Sequence, residues 1–307
     1  MAQAIVVWPW LIEYRHRAMS TAVTLSDLPT AVTDVEVDLT ADKSLRSRHR
    51  HAIEDIVNGC RLWRLALTLG WLDVRLRYRG SVLGPFWLTI STGVMVASLG
   101  FLYAKLFNMD LRAYLPFLAL SQVLWGFLAS IVSESCTAFT EAEGVIRSAR
   151  MPFFVFSIRT LIRNLATLAH NIVVIVVVFA IFAMWPGPQA LMAIPGLALW
   201  MVNALALTLL LGAFCARFRD IQPIVNSVMQ IAFFITPVIW KPEQLGPSAA
   251  KLFLNPFFDL LQIVRAPMLE EAVGLRVWAG ALFYSTVLCA LAWAFFVRAR
   301  GRITFWI

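Results

Sequence analysis

Arginine is the residue type in this chain whose spacing most directly suggests chemistry. Arg75, Arg77 and Arg79 stand at alternate positions just before Gly80, and an apolar segment soon follows them. Guanidinium groups bind phosphate through paired, charge-assisted hydrogen bonds. Arginines beside an apolar segment are typical of a helix that meets the phosphates of lipid headgroups at a membrane surface.

Sequence motifs for other chemistry are absent from the printed chain. It contains no GxxxxGK[ST] phosphate-binding loop, no HExxH, no GxSxG and no cluster of paired acids. We therefore expect a chain that is not an enzyme, holds no cofactor and cannot hydrolyse ATP alone. The four cysteines lie far apart, with no histidine at ligand spacing, so we expect neither a disulfide framework nor a structural metal.

Two ionisable side chains fall within apolar stretches, where polar groups are functional candidates. His170, beside Asn171, is either a proton relay or a histidine that hydrogen-bonds to a neighbouring helix, and the second interpretation is preferred. Glu134 is expected to pair with an arginine such as Arg163.

The composition indicates which kind of protein positions these residues. Hydrophobic residues make up 60% of the 307 residues and charged residues 14%, against about 45–50% and about 25% in a soluble domain. A polytopic membrane protein fits this balance, because its surface also faces lipid. The net charge of +8 comes from basic residues that flank apolar runs. We therefore expect membrane lipids as partners and no nucleic acid, which would require a basic stripe with interleaved aromatics.

Residues 53–79 have the pattern of an amphipathic helix that lies in the membrane interface, with an apolar face and an arginine face. A soluble amphipathic helix packed on a partner is the alternative. Gly80 and the Gly84-Pro85 step are expected to end this helix and turn the chain into the membrane. Residues 1–52 are predicted to form a disordered or loosely tethered cytoplasmic arm, because residues 20–47 are rich in Thr, Ser, Asp and Val and have no sustained helical or strand period.

Residues 80–307 are predicted to form the membrane domain, which makes this an all-α membrane protein with six transmembrane helices. Most of the apolar segments have the roughly 20 residues needed to cross a hydrocarbon core of about 30 Å. The fifth segment is shorter. The segments cover residues 85–107, 115–138, 165–184, 191–214, 224–239 and 277–297.

The basic residues predict the orientation of these spans. If both termini are cytoplasmic, the arginine-rich loops and ends all lie inside, as the positive-inside rule requires. The cytoplasmic group then comprises Arg75, Arg77, Arg79, Arg147, Arg150, Arg159, Arg163, Arg217, Arg219, Arg298, Arg300 and Arg302.

Two connections between the spans have unusual patterns. Residues 241–269, between spans five and six, are too hydrophobic for a free loop and too often interrupted by proline for another span. They predict a re-entrant helix pair on the outer side, with an amphipathic surface loop as the alternative. Residues 141–154, after span two, place Val145-Ile146 among charges of both signs. This pattern suits a short helix that docks into a soluble protein, with a plain loop as the alternative.

Aromatic residues make up 13% of the chain, and some are candidates to line a channel in which rings stack against sugar faces. Rings that face lipid or pack in the core are the more common case. The channel candidates are Phe86, Trp87, Phe101, Tyr103, Trp125, Phe233 and Phe234.

Four stretches together resemble the permease subunit of ABC exporters for O-antigen, capsule, teichoic acid and related cell-surface polysaccharides. They occur in the order and spacing of that family, and the ending RARGRITFWI is similar to that of some members. The resemblance covers the chain from about Trp63 to its end. The stretches are RYRGSVLGPFW (77–87), AEGVIRSARMPFFVF (142–156), ARFRDIQPIVNSVMQIAFFITPVIW (216–240) and NPFFDLLQIVRAPML (255–269).

The resemblance implies a homodimer in the bacterial cytoplasmic (inner) membrane, bound to two copies of a separate ATPase that holds ATP and Mg. It implies a lipid-linked polysaccharide as the substrate, whose pyrophosphate Arg75, Arg77 and Arg79 are expected to attract. An ABC permease for a drug or a lipid is one alternative, and a membrane-embedded glycosyl- or acyltransferase is another.

The resemblance also assigns two segments. The predicted coupling helix, which rests on the ATPase, contains Glu143, Gly144, Val145, Ile146, Arg147, Arg150 and Pro152. The external re-entrant helices, which close the exit, contain Asn255, Pro256, Arg265 and Pro267.

Overall fold

The computed structural model describes residues 44–81, 84, 86–106, 108–149 and 151–307. Within these residues the fold is all-α, as predicted, and it contains no strand. Five of its helical segments are long and apolar enough to cross a membrane. The α-helices are α1 (Leu45–Arg61), α2 (Trp63–Arg77), α3 (Phe86–Leu106), α4 (Leu111–Thr137), α5 (Glu143–Ser148), α6 (Phe154–Phe182), α7 (Ala193–Arg217), α8 (Ile221–Ile235), α9 (Pro256–Met268) and α10 (Leu275–Trp306).

The first helix begins earlier than the sequence indicated. Helix α1 starts at Leu45, although residues 45–52 were predicted to belong to a disordered arm. Ser44 accounts for this start, because its hydroxyl accepts a hydrogen bond from the amide of Ser47 at 3.1 Å. Such a cap satisfies one of the amides that a helix start leaves free. Residues 1–43 of the predicted arm lie outside the described residues.

The predicted interface helix is divided in two. Leu62 interrupts the helical backbone between α1 and α2, and α2 then continues to Arg77. Gly80 and Gly84 follow with φ of 82° and 53°, a left-handed conformation that glycine adopts without steric cost. The turn towards α3 therefore lies where the glycines predicted it, while Pro85 lies outside the described residues.

Helix α4 is the centre of the bundle. It packs against α3, α6, α7, α8 and α9, and most of its apolar side chains are buried. Phe127 of α4 stacks on Trp200 of α7 with 5.8 Å between ring centroids. Helix α10 packs mainly on α7. The fifth predicted span corresponds to α8, whose 15 residues extend roughly 22 Å.

Helix α6 extends well beyond the predicted third span. It begins at Phe154, whereas the apolar segment was predicted to begin at residue 165. Its first turns contain Arg159 and Arg163, whose charges are paired with acids of other helices. Helices α1 and α2 pack against this part of α6. We call this end of the bundle the arginine end. The opposite end contains residues 241–269, the segment predicted to be re-entrant, and we call it the re-entrant end.

Candidate functional site

Arg77, one of three arginines predicted to bind pyrophosphate, is held by a carboxylate in the structure. One guanidinium nitrogen, Nη2, donates to Glu134 Oε1 at 3.0 Å, while 43% of the Arg77 side chain remains exposed. Arg75 and Arg79 are exposed and have no hydrogen-bond or ion-pair partner among the described residues. Two of the three arginines are therefore free to meet an anion, and the third also joins α2 to α4.

Arg163 and Glu134 form the pair that the sequence predicted. Arg163 Nε donates to Glu134 Oε2 at 2.7 Å, and Nη1 donates to Glu141 Oε2 at 2.9 Å. Asn164 Nδ2 also donates to Glu134 Oε2, at 2.8 Å. The Arg163 side chain is only 7% exposed, so its charge depends on these acids for compensation. The prediction of a Glu134–Arg163 pair is confirmed.

A second ion pair joins α2 to α6, and it was not predicted from the sequence. Arg159 donates to Asp73 through Nε at 2.6 Å and through Nη2 at 2.7 Å. This bidentate geometry is the strong form of an arginine–carboxylate pair. One feature of the sequence could have predicted this pair, because Asp73 is the single acid among the arginines of α2. We call Asp73, Arg77, Glu134, Glu141, Arg159 and Arg163 the ion-pair network.

Asp55 makes a separate connection between α1 and the bundle. Its side chain is almost fully buried, and Oδ1 accepts a hydrogen bond from the amide of Phe154 at 3.1 Å. Oδ2 accepts from Arg300 Nε of α10 at 2.9 Å. A single carboxylate thus joins α1 to the start of α6 and to the end of α10.

The segment predicted as the coupling helix forms helix α5, but one of its two apolar side chains faces inwards. Ile146 is buried and belongs to a cluster that includes Phe139 and Phe153. Val145 is partly buried against the same cluster. The expectation of two apolar side chains offered to a partner is therefore wrong for Ile146, because its own chain already covers it.

The outer face of α5 is polar and charged. Arg147 is exposed, pairs with Glu143 at 2.9 Å and donates to the backbone oxygen of Ile307. Gly144 is also exposed, and Pro152 is partly exposed. Arg150 lies outside the described residues.

Three of the seven predicted channel aromatics meet in one groove. The Trp125 ring of α4 lies 5.9 Å from the Phe233 ring of α8, and Phe233 lies 5.2 Å from Phe234. The groove has a volume of about 730 Å³, and none of the described residues in its wall is charged. We call it the transport groove after the channel role that the sequence predicted for its aromatics, and its other lining residues are Met95, Gln122, Ala129, Ser133, Asn226, Met229 and Gln230.

The transport groove is also lined by amide side chains, which were not predicted from the sequence. Gln122 Oε1 and Asn226 Oδ1 are buried oxygens without a hydrogen-bond partner among the described residues. Such atoms favour a ligand that donates hydrogen bonds. The signal that could have found them is spacing, because Asn226 and Gln230 are polar residues four positions apart and so share one face of α8.

The other four predicted channel aromatics belong to α3 and do not line the transport groove. Phe86, Trp87 and Phe101 are exposed, and Lys105 lies 5.3 Å from the centre of the Phe101 ring. Tyr103 packs against a small cluster beside α4. The positions of these four rings fit the alternative interpretation, in which aromatic rings face lipid or pack in the core.

His170 forms its hydrogen bond within α6, because its Nδ1 lies 2.7 Å from the carbonyl of Ala166. The preferred interpretation had placed the partner on a neighbouring helix, which is wrong for the ring. The backbone provides that contact instead, since Thr89 of α3 donates to the carbonyl of His170 at 3.1 Å.

The predicted re-entrant residues hold α9 in the bundle. Asn255 caps α9 by accepting from the amide of Phe257 at 3.0 Å, and Pro256 occupies the first helical position. Arg265 is fully buried and donates to Ser121 Oγ of α4 at 3.0 Å. Its guanidinium lies 4.6 Å from the centre of the Phe117 ring. Pro267 is also buried, near the end of the helix.

Comparisons with known proteins agree with this architecture. The model of the ABC-2 type transporter family matches residues 64–269, from the start of α2 to the end of α9. The O-antigen export system permease protein RfbA of Myxococcus xanthus is 24% identical over 214 residues, which cover 67% of this chain and 81% of that protein. The protein of the same name from Klebsiella pneumoniae is 21% identical over 243 residues, with coverage of 78% and 94%. The chain therefore belongs to the ABC-2 type transporter family.

Proposed function

We propose that this chain is the membrane permease subunit of an exporter of O-antigen-type polysaccharide. Membership of the ABC-2 type transporter family makes it a multi-pass transport protein, and the similar proteins are named as O-antigen export permeases. The transport groove carries the proposal. Its flat rings suit stacking on sugar faces, and its uncharged amides suit hydrogen bonding to hydroxyls.

A second copy of the chain would close the groove. Met95 and Phe234 at its edges are exposed, so a single copy would leave a polar polymer in contact with lipid. Two copies related by a twofold axis would face each other across their grooves and separate the polymer from the hydrocarbon. We therefore propose a homodimer with the path between the two copies.

The proposed topology has six spans and cytoplasmic termini. Helix α8 is the fifth span, and the arginine end lies in the cytoplasm. Helix α9 and the preceding 3-10 helix, Pro242–Leu254, form the re-entrant pair on the outer side. Arg265 supports this assignment, because it is buried and donates to the carbonyl of Pro237, and non-helical backbone at membrane depth must be covered by protein.

ATP hydrolysis is assigned to a separate ATPase, which would hold ATP and Mg and contact the charged face of α5. The ion-pair network supports a route for the resulting motion. Glu141 precedes α5 and pairs with Arg163 of α6, which also pairs with Glu134 of α4. A displacement of α5 would therefore reach two spans and, through Arg77, the interface helix α2.

Arg75 and Arg79 are the proposed contacts for the pyrophosphate of a lipid-linked polysaccharide. Both are exposed at the end of α2, close to the turn that leads into the membrane. Arg77 can contribute its exposed side, but its pair with Glu134 gives it a second, structural task.

The experiment that tests the function replaces Trp125 with alanine in the native host. We expect loss of surface polysaccharide, accumulation of lipid-linked glycan in the cell, and normal recovery of the permease with its ATPase. Deletion of the gene separates this function from its alternatives. An exporter of drugs or lipids would leave surface polysaccharide intact after deletion, and that result would overturn the proposal.

A further inference from the structure

A second cavity lies on the other side of Met229 from the transport groove. It has a volume of about 420 Å³ and lies between α4, α7, α8, α9 and α10. This is within the size range of sites for small hydrophobic ligands. Among the described residues its wall contains no charged side chain. Asn203 Nδ2 donates to Ser285 Oγ at 2.8 Å, whereas Asn203 Oδ1 has no hydrogen-bond partner in the described part of the chain. The rest of the wall is mainly aliphatic and aromatic.

The mouth of this cavity lies on the side of the bundle, between α8 and α10, which we assign as the fifth and sixth spans. Ile224 and Val228 of α8 form one side of the mouth, and Val287 and Leu291 of α10 form the other. All four side chains are exposed. A hydrocarbon chain could therefore enter from the bilayer without passing through the transport groove.

A pocket of about 640 Å³ adjoins the cavity towards the re-entrant end, and the two share Pro256 and Phe257 as a wall. Its lining includes Trp240, Ser248 and Lys251, and contains no acid from the part of the chain that the structure describes. Lys251 is exposed and has no hydrogen-bond or ion-pair partner among the described residues. The pocket therefore offers an unneutralised positive charge and a hydroxyl beside an apolar cavity.

The cavity and the pocket follow one face of α8. Val225 and Val228 line the cavity, and Ala232 and Ile235 line the pocket. Residues spaced three or four apart share a helix face, so the two spaces form a continuous trough along this span. Tyr284 of α10 closes its side, with its hydroxyl 3.2 Å from the carbonyl of Leu254.

We propose that this trough binds one molecule of an anionic phospholipid, with a hydrocarbon chain in the cavity and the phosphate at Lys251. The hydrocarbon chain of the phospholipid would fill a void whose lining atoms otherwise lack contact partners. The phosphate would meet a lysine at the polar end, where an unpaired cation attracts anionic headgroups. Because the mouth faces lipid and Met229 separates the cavity from the groove, we assign the occupant to the membrane and not to the transported molecule.

Photolabelling of the full chain in lipid vesicles tests the proposal. The vesicles contain phosphatidylcholine and a phosphatidylglycerol with a photoreactive diazirine in its acyl chain. We expect label on the cavity residues Val228 and Leu288 at several times the level on Ile231, which is equally exposed on α8 but does not line the trough. Equal labelling of Val228 and Ile231 would mean ordinary contact with bulk lipid and would overturn the proposal.

Matched variants separate the two parts of the site. Val228→Trp should fill the mouth and abolish label on Leu288, whereas Ile231→Trp should not; Leu288→Phe is a second filling variant. Lys251→Gln should weaken phosphatidylglycerol labelling about fivefold, in line with about 1 kcal/mol for a lysine near anionic lipid. Lys105→Gln is the control at another exposed lysine. Unchanged labelling in Val228→Trp, or labelling by an isoprenoid phosphate probe alone, would refute the phospholipid assignment.

Discussion

Arg163 of α6 and Glu134 of α4 are joined by a hydrogen bond of 2.7 Å at the arginine end of the bundle. The same carboxylate accepts hydrogen bonds from Arg77 and Asn164. Glu134 of α4 therefore connects three helices, because it binds side chains of both α2 and α6. This arrangement allows charged residues to stand in the first turns of α6, next to its apolar part, because their charges are compensated within the protein.

The first prediction concerns this shared carboxylate. Glu134→Gln should destabilise the protein by about 3–5 kcal/mol, because the nearly buried Arg163 loses its main counter-charge. Thermal unfolding of the purified protein in detergent measures the effect. Glu143→Gln is the control, since Glu143 pairs with Arg147 at an exposed site and should contribute no more than about 1 kcal/mol. Equal losses in the two variants would contradict this account.

The second prediction concerns the contact between α1 and α6. A Cβ at Gly59 would lie 2.7 Å from the Cβ of Phe154, whereas a Cβ at Gly144 would meet no atom of the described residues within 4 Å. Gly59→Ala should therefore displace α1 and cost about 1–3 kcal/mol. Gly144→Ala should be neutral or stabilise its helix by up to about 1 kcal/mol. Limited proteolysis between α1 and α2 reports the displacement, and equal cleavage in both variants argues against it.

The third prediction separates the arginines of α2. The double variant Arg75→Ala, Arg79→Ala should lower polysaccharide export and leave thermal stability unchanged, because neither residue has a partner among the described residues. Arg77→Ala should lower both, since it also breaks the contact with Glu134. Export is measured as surface polysaccharide and stability as the melting temperature. Normal export by the double variant would exclude a pyrophosphate role for these two residues.

The fourth prediction compares two phenylalanines. Phe233→Ala removes a ring from the transport groove and should reduce export. Phe101→Ala removes an exposed ring of α3 that does not line the groove, and should leave export close to normal. Both variants are assayed for surface polysaccharide at matched amounts of permease in the membrane. A greater loss in Phe101→Ala would place the path along α3 instead.

The fifth prediction compares two aspartates. Asp259 of α9 is fully buried, and neither carboxylate oxygen has a hydrogen-bond partner among the described residues. Since a buried charge without a partner is costly, Asp259→Asn should preserve or raise the melting temperature. Asp73→Asn should lower it, because it weakens a bidentate pair with Arg159. The reverse order would show that Asp259 has a stabilising partner.

The sequence predicted the features that depend on local pattern. Apolar segments predicted five helices that are long and apolar enough to cross a membrane. The glycines at 80 and 84 predicted the turn into α3, because φ above zero needs no distant contact. The pairing of Glu134 with Arg163 was also predicted correctly, since an acid within a span requires a cation nearby.

The features that depend on tertiary contacts were not predictable in the same way. The Asp73–Arg159 pair forms between side chains 86 positions apart, which no local period reveals. Trp125 and Phe233 come together only because α8 packs on α4. The inward direction of Ile146 likewise follows from the packing of α5 on its own bundle.

Helix α10 has mechanical consequences because it is one continuous helix of 32 residues, about 48 Å long. Arg300, near one end, is fixed to α1 by Asp55, and Leu275 begins the other end, next to the segment that we propose to be re-entrant. The part of this helix from Arg300 to Leu275 is about 38 Å long, so a pivot of about 5° at Arg300 moves the far end by about 3 Å. Nucleotide turnover in a neighbouring subunit would thus need to rotate α10 only slightly. Its far end, at the opposite membrane face, would then move by about the diameter of an atom.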